Sequence, residues 1–288
     1  MSNGHVEGHR EIAPGRSAYW QAWLPPTQAR AVVVIVHGLH EHSARYAHVG
    51  ARLSGAGFAV YAADHRGHGR SDGRRANLER MALIVADLDL FVRFAAEHHT
   101  DLPVFMVGHS LGGLIALQYA TEPATPLDGL VLSGPLVEVT VGSALLKRLA
   151  GVLSALVPDL GVTALGAQGK ISRDPEVVRC YREDPLVYLG KVKARTGAEI
   201  LSTTLSLPAR LSRLSVPLLI LHGTDDLICA PAGSTMVHDR VSSPDKTVRR
   251  YQDLYHEVFN EPERDEVLTD LVHWLEQHLP RAPTHSAG

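Results

Sequence analysis

Short apolar runs that alternate with longer amphipathic stretches constrain the fold more than any other feature of this sequence. The run AVVVIV at Ala31–Val36 is apolar at every position, which is typical of a parallel strand covered on both faces. This alternation predicts an α/β fold with an open, doubly wound, mostly parallel sheet. The predicted elements are strands at Tyr19–Leu24 (antiparallel, near the edge), Ala31–Val36, Phe58–Ala63, Pro103–Val107, Gly129–Ser133, Val216–Leu221 and Lys246–Tyr251, and helices at Arg45–Ala56, Asn77–His99, Leu111–Thr121, Ala230–Val241 and Pro262–Leu279.

The segment from residue 136 to residue 214 interrupts this alternation, because it contains no clear strand and its pattern is mostly helical. We therefore predict a core formed by residues 1–135 and 215–279, into which a helical cap is inserted at residues 136–214. The last residues, 280–288, are rich in small and polar side chains and are expected to form a flexible tail.

One helix of the predicted cap carries an apolar stripe formed by Leu145, Leu149, Val152 and Leu156. The helix is expected to end before Pro158, since proline cannot continue a helix. The stripe has two interpretations at this point. It could pack onto the core, or it could line an acyl pocket and present apolar surface to a lipid aggregate.

Composition and charge exclude several classes of protein. The 288 residues are 45% hydrophobic and 20% charged, with a net charge of −3, which is typical of a globular protein and favours no nucleic-acid partner. No run of about 18 apolar residues is present, so no transmembrane segment is expected. The two cysteines lie far apart, and no signal-peptide pattern is seen, which predicts a cytoplasmic protein. No cysteine and histidine spacing indicates a metal site.

A glycine-flanked serine stands where a predicted strand must become a helix. The residues Gly108-His109-Ser110-Leu111-Gly112 match the pattern G-x-S-x-G in the strand–turn–helix setting that this pattern requires. Such a turn strains the backbone at the serine, and small neighbours remove side chains that would clash. The motif predicts a nucleophilic Ser110, and the alternative is a glycine-rich turn without chemistry.

A serine nucleophile needs a general base, and the base needs a group that orients it. In folds with this turn, the acid follows the serine in the chain and the histidine comes last. Asp225 and Asp226 follow the next predicted core strand, and of these two we favour Asp226. His256 follows the last predicted strand, and we predict that it is the base.

The oxyanion that forms during ester hydrolysis also needs donors. The backbone N–H after the nucleophile and one from the loop after an early strand commonly serve this purpose. The segment His37-Gly38-Leu39 closes the Ala31–Val36 run. We therefore predict the backbone N–H groups of Leu39 and Leu111 as the oxyanion hole.

Six blocks of the sequence are more informative together than any one of them is alone: HGLHEHSARY, DHRGHGRSDG, GHSLGG, ISRDPEVVRCYREDPLV, LHGTDD and LYHEVFNEPER. Together they resemble the monoacylglycerol lipase family, most closely its bacterial, mycobacterial-type branch, from about Trp20 to His278. The resemblance implies an α/β-hydrolase fold with a helical cap and no cofactor. It also implies hydrolysis of monoacylglycerol to glycerol and free fatty acid.

The resemblance assigns roles to residues of this chain. The family pattern G-x-x-D selects Asp226 over Asp225, and family members often have glycine where this chain has His40. The residues that the resemblance implies are catalytic Ser110, Asp226 and His256, and glycerol-recognising Glu41, Arg45, His109 and Tyr181.

The sequence therefore predicts a serine esterase that acts on monoacylglycerol and touches a lipid surface transiently through its cap, as a cytoplasmic protein with peripheral membrane association. A lysophospholipase or a short-chain carboxylesterase is the nearest alternative. A non-catalytic relative that binds an acyl ligand is a second alternative, although all three catalytic residue types are present. A dehalogenase or an epoxide hydrolase would need an aspartate where Ser110 stands.

Overall fold

The computed structural model describes residues 4–139, 142–164 and 169–280. Apart from Pro280, the predicted flexible tail lies outside these ranges. Ten strands, β1 to β10, are described in chain order. They are β1 (Gly4–Ala13), β2 (Arg16–Leu24), β3 (Ala31–Val36), β4 (Phe58–Ala63), β5 (Val104–His109), β6 (Gly129–Ser133), β7 (Gly161–Thr163), β8 (Val192–Lys193), β9 (Leu218–Gly223) and β10 (Lys246–Tyr251).

The α-helices in these ranges lie between the strands and after the last of them. Of the helices whose bounds were predicted, α1 and α8 begin two residues later than expected and α2 begins four residues later, while α3 and α7 begin within one residue of the prediction. They are α1 (Ala47–Gly55), α2 (Met81–Glu97), α3 (Leu111–Ala120), α4 (Ala144–Leu156), α5 (Pro175–Glu183), α6 (Ala194–Ser206), α7 (Pro231–Arg240) and α8 (Arg264–Gln277).

The main sheet has eight strands in the order β1-β2-β4-β3-β5-β6-β9-β10. The pairs β1–β2 and β2–β4 are antiparallel, and the remaining pairs are parallel. Strand β1 was not predicted from the sequence, because its side chains are mostly exposed and carry no apolar alternation. The mostly parallel sheet confirms the predicted fold class.

The sheet separates two hydrophobic cores, which explains why its central strands are apolar at every position. Along β3, Val32 and Val34 belong to one core, while Val33 and Ile35 belong to the other. Helices α2, α3 and α7 cover the first core, and α1 and α8 cover the second. Each fully buried valine or isoleucine of such a strand contributes about 1.5–3 kcal/mol of transfer free energy.

The register of the parallel strands brings their carboxyl ends to one edge. Val36 of β3 pairs with Gly108 of β5, and Ser133 of β6 pairs with Leu221 of β9. The loops that follow these strands and β10 therefore open side by side, at the edge where α/β sheets bind their ligands.

The segment 136–214 connects β6 to β9 and contains α4, α5 and α6. It also contains the short antiparallel pair β7–β8, which sequence analysis missed because strands of two or three residues leave no periodic signal. The side chains of Ile200, Leu207 and Leu211 join the first core. The stripe on α4 does not, since Leu145 is 66% exposed and Leu156 is 75% exposed. The interpretation that this stripe packs onto the core is therefore wrong.

Candidate active site

Ser110 occupies a strained turn between β5 and α3. Its backbone has φ of 53° and ψ of −118°, a conformation that residues other than glycine rarely adopt. The turn passes so close to β3 that a Cβ atom at Gly112 would lie 2.0 Å from the carbonyl oxygen of Val36. The glycine of the motif is therefore required by close backbone approach. Ser110 is 8% exposed and lines a cavity at this edge of the sheet.

Asp226 follows β9 and is buried, whereas Asp225 is exposed. Oδ1 of Asp226 accepts hydrogen bonds from the backbone N–H groups of Ile228 (2.8 Å) and Cys229 (2.9 Å). Its Oδ2 lies 2.7 Å from Nδ1 of His256. Burial alone would raise the pKa of Asp226, but the charge and hydrogen bonds around it hold that pKa well below its usual range. The carboxyl group is therefore ionised.

His256 lies in the loop after β10 and is 4% exposed. Burial alone would lower the pKa of its imidazole, but the Asp226 carboxylate outweighs this effect and raises the pKa above its ordinary value. The bond at Nδ1 leaves Nε2 as the proton acceptor of the neutral ring. His256 and Ser110 line the same cavity.

Two residues to which no role was assigned from the sequence, His222 and Gly134, lie beside the pair formed by Asp226 and His256. His222, at the end of β9, is buried with its Nε2 3.0 Å from Oδ2 of Asp226 and its Nδ1 2.6 Å from the hydroxyl of Ser234. Gly134 has φ of 48°, and a Cβ atom there would lie 3.1 Å from Nδ1 of His256 and 3.2 Å from Oδ2 of Asp226. A polar residue inside an apolar strand end was the signal that could have identified His222.

The loop after β3 holds the peptide that carries the N–H of Leu39. Nε2 of His37 accepts a hydrogen bond from the backbone N–H of His65 (2.9 Å), so the ring proton is on Nδ1, which donates to the carbonyl of Gly38 (2.8 Å). Burial keeps the pKa of His37 well below its ordinary value, so the ring is neutral. Because a trans peptide directs its N–H opposite to its C=O, this bond turns the N–H of Leu39 away from the His37 ring.

Leu111, the other predicted donor, is the first residue of α3. The first four N–H groups of a helix have no acceptor within the helix, so the Leu111 N–H is free of intrahelical bonding. Both Leu39, at the cavity wall, and Leu111 lie in segments that adjoin Ser110.

The cavity has a volume of about 500 Å³ and lies between the sheet edge and the segment 136–214. One end is polar and contains Ser110 and His256. The other end is mainly apolar and is lined by side chains of the segment 136–214. The apolar lining from that segment includes Leu136, Val139, Leu153, Val162, Val192 and Ile200.

A group of buried charges lies at the polar end. The guanidinium of Arg45 donates to both carboxylate oxygens of Glu257 (2.7 and 2.6 Å) and to Oε2 of Glu41 (2.6 Å), and it stacks on the ring of Tyr181. Oε1 of Glu41 accepts from the backbone N–H of Gly38 (2.6 Å) and from the hydroxyl of Tyr46 (2.7 Å). Glu41 therefore links the guanidinium of Arg45 to the backbone of the loop that carries Leu39.

In the described ranges, no group of three or more histidine, cysteine, aspartate or glutamate side chains is placed to hold a metal ion. No helix within those ranges is long and apolar enough to cross a bilayer. Cys180 and Cys229 are both free thiols.

Comparison with known proteins identifies the family. A family model described as serine aminopeptidase, S33 (Hydrolase_4) matches residues 27–263. A protein named monoacylglycerol lipase from Mycolicibacterium smegmatis is 43% identical over 261 residues, covering 90% of this chain and 93% of that protein. Human monoglyceride lipase is 32% identical, covering 96% of this chain and 93% of that protein. The crystal structure of Paleococcus ferrophilus monoacylglycerol lipase superimposes with a TM-score of 0.82 at 33% identity, covering 91% and 99% of the two chains.

The chain belongs to the monoacylglycerol lipase family of α/β-hydrolases. This confirms the resemblance inferred from the sequence blocks.

The cavity lining can be compared with the glycerol-recognising residues that the resemblance implied. Arg45, expected to recognise glycerol, is not among the residues that line the cavity, and its guanidinium pairs with the carboxylates of Glu41 and Glu257. Glu257, Glu41, His109 and Tyr181 do line it. Sequence analysis missed Glu257, although an acidic residue directly after the predicted base was a visible signal.

His40, at the position where the resemblance led us to expect glycine, has a backbone conformation that favours glycine. Its φ is 69°, in the left-handed region. Histidine is one of the residues that tolerate this region best, at a cost of about 1–2 kcal/mol. Histidine is therefore compatible with the positive φ at this position.

Proposed function

We propose that this protein hydrolyses monoacylglycerols to glycerol and free fatty acid through an acyl-enzyme formed on Ser110. The observation that carries the proposal is the buried contact of 2.7 Å between the Asp226 carboxylate and Nδ1 of His256, in a cavity that Ser110 also lines. A weak alcohol nucleophile becomes reactive when a neutral imidazole can take its proton. Membership of the monoacylglycerol lipase family supports the substrate class.

In this mechanism, the Ser110 hydroxyl attacks the ester carbonyl while Nε2 of His256 takes its proton. Asp226 holds the imidazole in the required tautomer and stabilises its charged form. The N–H groups of Leu39 and Leu111 donate to the tetrahedral oxyanion, which is worth about 3 kcal/mol for each donor. His256 then protonates the leaving glycerol, and water repeats the sequence on the acyl-enzyme.

The polar end of the cavity would hold the glycerol group. Glu41, Tyr181 and Glu257 line this end, and Arg45 lies behind them. His109 also lines it, and burial lowers its pKa to about 4, so it is neutral at the pH of catalysis. A compact polar site of this kind favours a substrate with free hydroxyl groups. We infer that Arg45 orients the two carboxylates and does not contact glycerol itself.

The segment 136–214 would act as a cap over residues 1–135 and 215–279. Leu153 of α4 lines the cavity, and Leu145, Leu149, Val152 and Leu156 on the same helix are exposed. A helix with one face toward the acyl site and an exposed apolar stripe is suited to adsorption on a lipid surface. We propose that α4 contacts such a surface transiently while the acyl chain enters, which would make the protein peripherally membrane-associated. The cytoplasmic location stays a prediction.

The substrate class is tested by hydrolysis of a series of monoacylglycerols with increasing acyl chain length, with di- and triacylglycerols as controls. We expect kcat/KM for monoacylglycerols to exceed that for the controls at every chain length. Lysophosphatidylcholine and p-nitrophenyl butyrate are measured alongside. A higher kcat/KM for lysophosphatidylcholine would replace the proposed substrate with a lysophospholipid, and hydrolysis of p-nitrophenyl butyrate without hydrolysis of any monoacylglycerol would replace it with a short-chain ester.

A further inference from the structure

The loop that carries Leu39, residues 38–43, is anchored at the sheet edge through Glu41 and Ser43. Glu41 accepts from the backbone N–H of Gly38 within the loop (2.6 Å), and from Arg45 (2.6 Å) and Tyr46 (2.7 Å) outside it. The backbone N–H of Ser43 donates to Oδ1 of Asp64 (2.8 Å). The two histidines on either side of Glu41, His40 and His42, are both buried.

Both histidines contact the segment 136–214. Nε2 of His42 lies 2.8 Å from Oδ2 of Asp184, and the carbonyl of His40 accepts from the backbone N–H of Tyr188 (2.9 Å). The ring of His40 packs edge-on against the Tyr188 ring, with centroids 4.8 Å apart. Within the described residues, neither ring nitrogen of His40 has a hydrogen-bond partner, so the ring contributes packing and the backbone carbonyl supplies the polar contact.

The short turn 184–188, which makes both contacts, is itself rigidly held. Oδ1 of Asp184 accepts from the backbone N–H of Leu186 (2.8 Å), and the carbonyl of Asp184 accepts from the N–H of Val187 (3.1 Å). The Val187 side chain is 6% exposed and packs in a small cluster with Ile171 and Tyr181. A single carboxylate, that of Asp184, thus both closes the turn and reaches the loop.

We propose that the turn 184–188 is a positioning element for the loop that carries the Leu39 N–H, acting through Asp184 on His42 and through Tyr188 on the His40 carbonyl. The proposal rests on the function proposed above for the Leu39 N–H. One peptide group separates the peptide that holds the His40 carbonyl from the peptide that holds the Leu39 N–H, so a shift of the turn moves the oxyanion donor. A donor that is out of place weakens binding of the transition state more than binding of the substrate, and the loss falls on kcat.

Asp159 offers a matched control, because it is also an aspartate that joins the segment 136–214 to the core. It accepts from Nη1 of Arg74 (2.7 Å) and Nδ2 of Asn77 (2.6 Å), and it makes no described contact with the loop 38–43. A variant at Asp159 therefore loosens the attachment of the segment without touching the loop.

The experiment compares Asp184→Ala with Asp159→Ala, using p-nitrophenyl butyrate and a monoacylglycerol. We expect Asp184→Ala to lower kcat by about 10-fold with KM changed by less than about twofold, and Asp159→Ala to leave kcat within about twofold. Asp184→Asn, which retains an acceptor for Leu186 and a donor toward His42, should recover kcat to within about threefold of the wild type. Equal losses of kcat in Asp184→Ala and Asp159→Ala would overturn the proposal.

Hydrogen exchange of the backbone amides at residues 38–43 gives a readout that does not depend on activity. We expect exchange in this segment to quicken in Asp184→Ala and to stay unchanged in Asp159→Ala. If Asp184→Ala fails to fold, the pair His42→Phe and His42→Gln tests the same contact from the loop side, with loss expected for the first and retention for the second. Unchanged exchange in both tether variants, Asp184→Ala and His42→Phe, would also overturn the proposal.

Failure of the proposed function gives a different result. A wild-type protein that hydrolyses the p-nitrophenyl ester but no monoacylglycerol overturns the substrate and leaves the comparison of variants intact. A wild-type protein that hydrolyses neither ester overturns the function, and the exchange measurement still decides whether the turn holds the loop.

Discussion

The loops at the sheet edge bury polar groups, whereas helix α4 of the segment 136–214 exposes apolar side chains. At the sheet edge, polar groups are buried and bonded at several atoms: the Asp226 carboxylate contacts two histidine rings and two backbone N–H groups. On α4 of the inserted segment, large apolar side chains are exposed, up to 75% for Leu156. The first arrangement fixes geometry for chemistry, and the second leaves surface available to a substrate that itself comes from a lipid phase.

The largest expected effect sharpens the comparison within the sheet edge. Replacing Asp226 by Asn should lower kcat by about 10,000-fold, because the amide favours the wrong tautomer of His256. Asp225→Asn is the matched control, since Asp225 is the exposed neighbour, and kcat should stay within about twofold. Steady-state kinetics on one ester measures both variants. The reverse ranking would assign the acid to Asp225.

The buried ion pairs of Arg45 at the sheet edge should contribute more to the free energy of unfolding than exposed ion pairs in the segment 136–214. Arg45→Met leaves the carboxylates of Glu41 and Glu257 buried without their partner, and we expect the free energy of unfolding to fall by about 3–5 kcal/mol. Arg179→Met removes an arginine that also pairs with two glutamates, on the exposed surface of α5, and should leave that free energy essentially unchanged. Urea unfolding measures both. A similar change for the two variants would show that burial does not distinguish them.

The pH dependence of activity tests the coupling of His256 to Asp226. The imidazole must be neutral to accept the proton, and the Asp226 carboxylate raises its pKa above the ordinary value of 6.5. We therefore expect kcat/KM to fall about tenfold per pH unit on the acid side of a midpoint above 6.5. A profile that stays flat between about pH 5 and 9 would exclude His256 as the base.

The smallest expected effect concerns the exposed stripe of α4. Leu156→Ser should weaken partitioning onto phosphatidylcholine vesicles by about threefold to tenfold and leave hydrolysis of p-nitrophenyl butyrate unchanged. Leu205→Ser is the matched control, because Leu205 on α6 is also 75% exposed but lies off the stripe. Vesicle co-sedimentation reports the difference. Equal partitioning of the two variants would remove the distinction between the stripe and the rest of the surface.

The parts of the fold that could be predicted are those in which local pattern and burial agree. The all-apolar runs gave the central strands, because a parallel sheet covered on both faces leaves no polar position in them. The order of serine, acid and histidine in the chain placed Ser110, Asp226 and His256 at neighbouring loops, and the register of β5, β6 and β9 explains why that order works.

The parts that could not be predicted depend on contacts between distant segments. Arg45 and Glu257 are 212 residues apart, so nothing local indicates that they pair. The stripe on α4 identified an apolar face, but periodicity does not say which surface that face meets. Strand β1 is held by pairing with β2 and not by an apolar face of its own, so its sequence shows no alternation from which a strand could be predicted.

The most direct test of the account is to find which residue a fluorophosphonate modifies. Labelled protein is digested and the modified peptide is identified by mass spectrometry, with Ser110→Ala and its melting temperature as controls. We expect one adduct, on Ser110, that disappears in Ser110→Ala while the melting temperature is retained. An adduct on another residue, or labelling that survives in a folded Ser110→Ala, would contradict it.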